Sequence, residues 1–212
     1  AGSSRPFLHL GASDGFEWTY DPTAAAGEHI TGMWLDGEAI DPETSYSVVA
    51  NSFLAGGGDN FTVFAEGADP RDTGQVDLES MVAYMAEFGT GTAVPVDYAQ
   101  DSLGVVLPEG APATYAPGDE VSLELSSLVL PPTSDVASLS DDEVELSIGG
   151  KSLGSFPVDK TISENPDDES GRVSVSATIP AYSGTPEGVL VTGMTTGTEI
   201  LVPLAFEAQP EM

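Results

Sequence analysis

From Val121 to Phe206 the chain alternates apolar and polar residues in short runs separated by turn residues, and a period of two dictates strands. Val121, Leu123 and Leu125 lead one run. Val144, Leu146 and Ile148 point away from Glu145 and Ser147, and Gly149-Gly150 turns the chain into 153–158. Val173, Val175, Ala177 and Ile179 alternate with Ser174, Ser176 and Thr178, and runs at 189–192 and 200–206 complete the set. Side chains two apart share a sheet face, so each run offers one apolar face for burial. Six or seven such strands with no helical period predict an all-β, immunoglobulin-like sandwich over 119–208. The cysteine and tryptophan hallmarks of antibody domains are missing there, so only the general architecture follows. The segment holds no histidine, and its Ser and Thr residues lack that base for nucleophilic chemistry.

Residues 1–95 have a different texture, mixed α and β, which makes the whole chain α+β. Phe7-Leu8-His9-Leu10 starts a strand. Phe16, Trp18 and Tyr20 alternate with Glu17 and Thr19, and Asp21-Pro22 breaks that run. Residues 30–35 form the next strand, Asp36-Gly37 a hairpin-type turn, Asp41-Pro42 another turn, and 46–51 a further strand. Asp77 is expected to cap a helix over 78–88 that Gly89 ends. Leu78, Met81, Val82 and Met85 recur at i, i+3, i+4 and i+7, one apolar face expected to pack into a core. Between the halves, 96–118 carries Pro108, Pro112 and Pro117 and reads as a semi-rigid linker, with 103–107 able to return to the first half as one more strand. The chain begins Ala-Gly-Ser-Ser-Arg-Pro without an apolar signal core and ends Pro210-Glu211-Met212 without a sorting motif, so both ends read as cut points in a longer protein.

Charge narrows the function classes. The 212 residues carry 35 acids and 5 bases, a net charge of −30, spread evenly along the chain. That excludes sequence-independent nucleic-acid binding, which neutralises phosphates with Lys and Arg, and it opposes docking on anionic membranes. No run approaches the ~18 apolar residues of a transmembrane span, so no membrane insertion is expected. Cysteine is absent, excluding disulfides and thiolate sites, and the two histidines, His9 and His29, are too few for a multi-histidine metal centre and read as surface or turn residues. So acidic a surface suits a salty or extracellular setting. Asp141-Asp142-Glu143 and Asp167-Asp168-Glu169 lack the regular ladder of a calcium loop and read as loop charges.

One stretch has chemistry of its own: Asn51-Ser52-Phe53-Leu54-Ala55-Gly56-Gly57-Gly58-Asp59-Asn60-Phe61. Glycines let a ligand approach the backbone. An aromatic ring can stack a flat base, and a carboxylate can accept hydrogen bonds from vicinal hydroxyls. Phe53 and Asp59 on a loop with Gly57 and Gly58 are therefore apt for a nucleoside, although a plain loop with Phe53 and Phe61 in the core is the simpler alternative. No Lys-Ser/Thr follows the glycines, so it is not a phosphate-binding P-loop.

The stretch resembles the signature of the C-terminal, substrate-recognition domain of 5'-nucleotidases, in which Asn-x-Phe-Leu precedes Ala-x-Gly-Gly-Asp-Gly-Phe. Its flanks agree: Phe7-Leu8-His9-Leu10-Gly11, then Trp18-Thr19-Tyr20-Asp21, then Gly27-Glu28-His29-Ile30 with Asp36-Gly37, Ile40-Asp41-Pro42 and Tyr46. The resemblance covers about 5–95 and implies a partial domain of that type over 1–95, a linker at 96–118 and a sandwich at 119–208, similar to what some cell-surface members carry. It implies that Phe53 is a stacking aromatic, that Asp59 is the ribose-binding acid, that Gly57 and Gly58 line the substrate, and that Asn51 is structural. Asn60 stands where the family usually has glycine. It further implies a nucleotide or nucleoside ligand, and an extracellular hydrolase of nucleotide catabolism. Catalysis there belongs to a separate N-terminal metallophosphatase domain with two divalent metal ions. No cofactor is expected in this chain, and its catalytic residues are none. The alternative from another class is a non-catalytic cell-surface scaffold or interaction module.

Overall fold

In the computed structural model, which describes residues 10–89, 91–94, 96–129, 139–162 and 170–210, the alternating runs become strands of two sheets. The strands are β1 (Phe16–Tyr20), β2 (Ile30–Leu35), β3 (Glu38–Ala39), β4 (Ser102–Val106), β5 (Glu120–Ser126), β6 (Glu143–Ile148), β7 (Lys151–Pro157), β8 (Val173–Thr178), β9 (Gly188–Thr192) and β10 (Glu199–Pro203). One sheet has the order β3-β2-β1-β4-β5-β8 and the other β10-β9-β6-β7. Neighbours are antiparallel except β1 and β4, which run parallel. Two helices complete a mostly β architecture among the described residues: α1 (Ser52–Ala55) and α2 (Asp77–Phe88).

The chain divides into two compact units, 42–97 and 10–41 together with 98–210. In the second unit the apolar positions of both sheets meet in one core. Val121, Leu123 and Leu125 of β5 close on Val144, Leu146 and Ile148 of β6, while Glu120, Glu124, Glu143 and Glu145 stay at the surface. That is the expected division of faces. Two glycine-bearing turns set strand register. Asp36 and Gly37 have φ of 54° and 78°, and Gly149 and Gly150 have 53° and 73°. Positive φ at both central residues is the two-residue hairpin geometry whose twist matches the strands.

The unit boundaries differ from the expected division at 1–95, 96–118 and 119–208. The stretch 96–118 contains β4, which pairs with β1 on one side and β5 on the other, with Leu103 fully buried between them. Strand 103–107 does return to β1 as anticipated, and it also continues into the second half's sheet. Tyr115 is likewise in the core and bridges to Phe206. Ladder pairing and apolar burial thus outweigh the stiffness that Pro108, Pro112 and Pro117 suggest.

Unit 42–97 holds α1, two short 3-10 turns (Gly58–Asn60 and Thr62–Glu66) and α2. Three expectations fail here. Residues 46–50 belong to no strand, with Val48 and Val49 exposed, because no ladder partner lies beside them. The apolar face of α2 is at the surface, Leu78 being 69% exposed and Met85 50%. None of the described residues of 42–97 is buried, since the unit has no sheet to form a second layer. Helix α2 has the expected extent, but its N-cap is Val76, without a side-chain cap; Asp77 instead accepts a hydrogen bond from its neighbour's N–H. Gly89 ends it at φ −99°, so the glycine serves a close approach: a Cβ there would sit 2.6 Å from the Met85 carbonyl oxygen. The strand begun at 7–9, with His9, and the acids at 167–169 lie outside the described residues.

Candidate functional site

The glycine stretch folds as a helical turn followed by a left-handed step. Asn51 opens α1: its side chain accepts the Leu54 N–H at 2.9 Å, an N-cap that ties down the first turn. The structural role assigned to Asn51 is thus visible. Gly56 and Gly57 donate back to the carbonyls of Ser52 and Leu54 and close the turn. Gly57 then takes φ 83°, which reverses the chain. Asp59 and Asn60 follow at φ 50° and 71°. Asn and Asp are the non-glycine residues that most readily adopt this region, so Asn60 holds a left-handed position despite carrying a side chain. The Phe61 N–H donates to the Gly58 carbonyl at 3.0 Å and completes the loop.

Phe53 is 60% exposed and lies outside any core. Its ring rests on Gly58: a Cβ built at Gly58 would fall 2.5–2.7 Å from three of the ring carbons. Phe61 is half-buried, its ring 6.4 Å from that of Phe64 in an edge-on pair that supports the loop from within. Asp59 is exposed, one residue beyond the glycine that carries the ring. Of the four residues singled out in the sequence, the fold joins Phe53 and Gly58 in contact, Asp59 is adjacent in the chain, and Gly57 is the pivot. The chemistry available is one aromatic face and one carboxylate on a bare backbone loop. The Asn51 cap and the Phe61–Phe64 pair are the supporting contacts. The cap is written in the sequence as Asn three residues before Leu54, whereas the ring pair is not.

Among the described residues, the remaining ionisable groups do not assemble a hydrolytic centre. Among the described residues no three His, Asp or Glu side chains converge as a metal site. His29 sits in the turn before β2 with Nδ1 2.9 Å from the Asp21 carbonyl oxygen. Two-metal hydrolysis needs several such ligands around ions about 4 Å apart, and the described residues do not fit it. Asp141, read as a loop charge, is instead buried: it accepts the Thr195 N–H and the Thr196 hydroxyl, both at 2.6 Å. Asp142 beside it pairs with Lys160 at 2.8 Å. Among the described residues, no helix is long and apolar enough to cross a membrane.

Comparison with known proteins places the loop in context. Residues 1–66 match the family model for the 5'-nucleotidase C-terminal domain. A 5'-nucleotidase-related protein of Glossina morsitans morsitans is 30% identical over 92 residues, which are 40% of this chain and 16% of that protein. A trifunctional nucleotide phosphoesterase protein of Bacillus subtilis is 27% identical over 88 residues, 39% of this chain and 6% of that protein. The chain therefore spans only a small part of the curated relatives it matches. No solved structure matches.

Proposed function

We propose, from the match of residues 1–66 to the family model for the 5'-nucleotidase C-terminal domain, that this chain is the nucleoside-recognition part of an extracellular or cell-surface 5'-nucleotidase-type metallophosphohydrolase. Phosphate removal belongs to a separate N-terminal domain with two divalent metal ions, so this chain alone is expected to be inactive. The observation that carries the reading is Phe53, an aromatic ring left 60% exposed on a glycine loop that also bears Asp59. Phe53 stacks the base and Asp59 accepts hydrogen bonds from the ribose hydroxyls. The acidic surface, with 35 acids against 5 bases, suits an extracellular or saline medium.

Residues 98–210 are read as an immunoglobulin-like module. Its support is the strand order: β4, β5 and β8 form one side and β10, β9, β6 and β7 the other, as the A-B-E and G-F-C-C' strands of such Greek-key folds do. The module serves as a spacer or adhesion element.

The test is adenosine binding followed by NMR titration. Stacking is worth about 1–3 kcal/mol per base and a single ring is present, so a dissociation constant of about 1 mM, near −4 kcal/mol, is expected. Phe53→Ala and Asp59→Ala should each weaken it about fivefold or more. Adenosine binding unchanged in both variants, with the fold intact, would show that the loop is only structural. A parallel phosphate-release assay on AMP with Mn²⁺ or Co²⁺ should show no turnover by the chain alone; turnover that survives stringent purification would place catalysis here after all.

A further inference from the structure

The geometry points to Gly58 as the positioning residue for the Phe53 ring: its bare Cα is the seat against which the ring is oriented. This deepens the nucleoside-recognition reading and rests on it. The adjacent glycines Gly57 and Gly58 are glycine for different physical reasons. Gly57 has φ 83°, a backbone demand, and a Cβ there would come no nearer than 3.3 Å to any neighbour. Gly58 has no such φ, so its backbone would accept any residue. What a side chain at Gly58 would meet is the Phe53 ring, whose Cε1, Cζ and Cδ1 would lie 2.5, 2.6 and 2.7 Å from the added Cβ. Unbonded carbons rest about 3.5–4.0 Å apart, so the ring would have to turn or lift by about an ångström.

The backbone cannot absorb that displacement cheaply. Phe53 is the second residue of α1, and the turn is tied at both ends, by the Asn51 side chain on Leu54 and by Gly56 on the Ser52 carbonyl. Only the two side-chain torsions of Phe53 are free to respond. One side of the ring is therefore defined by the loop. The residue that defines it is bonded directly to Asp59, so ring orientation and the origin of the carboxylate share one peptide step. For a nucleoside, whose base and ribose must be met together, Gly58 sets the base-stacking direction relative to the acid. Gly58 thus acts on the ligand through the ring, and Gly57 through the backbone course.

The experiment uses the 212-residue chain, adenosine as the probe, and two readouts. First, the Gly58 Hα resonances should be displaced by the ring current in the wild type and return to ordinary positions in Phe53→Leu. Identical Gly58 shifts in both would overturn the seat, whatever adenosine does. Second, Gly58→Ala should raise the adenosine dissociation constant by about three- to tenfold, a fraction of full stacking. The Gly58→Ala/Phe53→Leu double variant should bind no more weakly than Phe53→Leu alone, because both changes act through one ring. Losses that multiply in the double variant, or wild-type affinity in Gly58→Ala, would overturn the positioning role. Should Phe53→Leu leave adenosine binding unchanged, the nucleoside reading fails instead, and the ring-current comparison still decides the seat.

Discussion

Asp141 shows what a single acid does in a chain this rich in them. It is 4% exposed and anchors the β9–β10 turn. The Gln100 N–H donates to the Thr198 hydroxyl at 3.0 Å. The Thr196 hydroxyl proton goes to Asp141, so Thr198 donates to Thr196 at 2.8 Å and the relay ends on the carboxylate. Gly193 is bare where a Cβ would strike the same carboxylate. Asp141→Ala should cost about 2–3 kcal/mol in urea unfolding, since it removes bonds to a charged acceptor and orphans their donors. A loss under about 0.5 kcal/mol would mean the turn holds itself without the acid. Glu17 behaves in the opposite sense. Burial raises its pKa, and Asp101 and Glu199 raise it further. A carboxylate whose folded pKa exceeds its unfolded value binds more protons when folded. Its contribution is therefore full below the ordinary glutamate value and is lost as pH rises through the elevated one. Glu17→Gln should raise the Tm at pH 7 and flatten the fall in stability above about pH 4.5. A Tm lowered at pH 7 would contradict that sign. Neither environment is legible from sequence, where Asp141 and Glu17 look like any of the other acids; only the assembled neighbours distinguish them.

At the scale of elements, periodicity located strands and α2 well and burial poorly. Val144, Leu146 and Ile148 alternate in sequence and are fully buried in the fold, because a strand's partner faces are local to its own sheet pair. The same reasoning applied to Leu78, Met81, Val82 and Met85 gives the right helix and the wrong environment, since amphipathicity states which face seeks cover and not whether cover exists. Tyr46–Asn51 has strand composition, but a strand needs a ladder partner, which periodicity alone does not supply. In the glycine loop the Asn51 cap on Leu54 was legible; the resting of the Phe53 ring on Gly58 was not, because it depends on a helical turn that glycine-rich composition argues against. Turn chemistry was the most legible element. Gly37, at φ 78° with open space around it, should tolerate volume but not handedness. Gly37→Ala should cost about 1–2 kcal/mol and Gly37→Asn distinctly less, compared by urea midpoint. Equal losses for Ala and Asn would indicate that the β2–β3 turn is not held left-handed in solution.

For the whole molecule, the question is where a separable domain begins. The alternation that starts at Val121 suggests 119–208, but the core it builds also takes in Leu103, Val105 and Tyr115. Tyr182 reinforces the point: its hydroxyl donates to the carbonyl of Glu207 at 2.9 Å and lies 3.3 Å from that of Tyr115, tying the segment after β4 to the segment after β10. Burying a side chain such as Leu103 contributes about 1.5–3 kcal/mol, so removing β4 and Tyr115 together should cost several kcal/mol. Segment 98–210 should therefore melt cooperatively and well above 119–208, whose transition should be broad or depressed. Salt supplies the second axis. Residues 119–212 carry 17 acids and 3 bases, and Glu120 and Glu124 oppose Thr178 and Ser174 across the sheet instead of lysines. Raising ionic strength from 0.1 M to 1 M shortens the Debye length from about 10 Å to about 3 Å and screens the repulsion among those carboxylates. The Tm of 98–210 should rise with NaCl by about 4–8 °C for each kcal/mol of repulsion relieved. A Tm that is flat or falls with salt would show that the acids are already accommodated by their hydroxyl partners, and a 119–208 melt equal to that of 98–210 would return the boundary to residue 119.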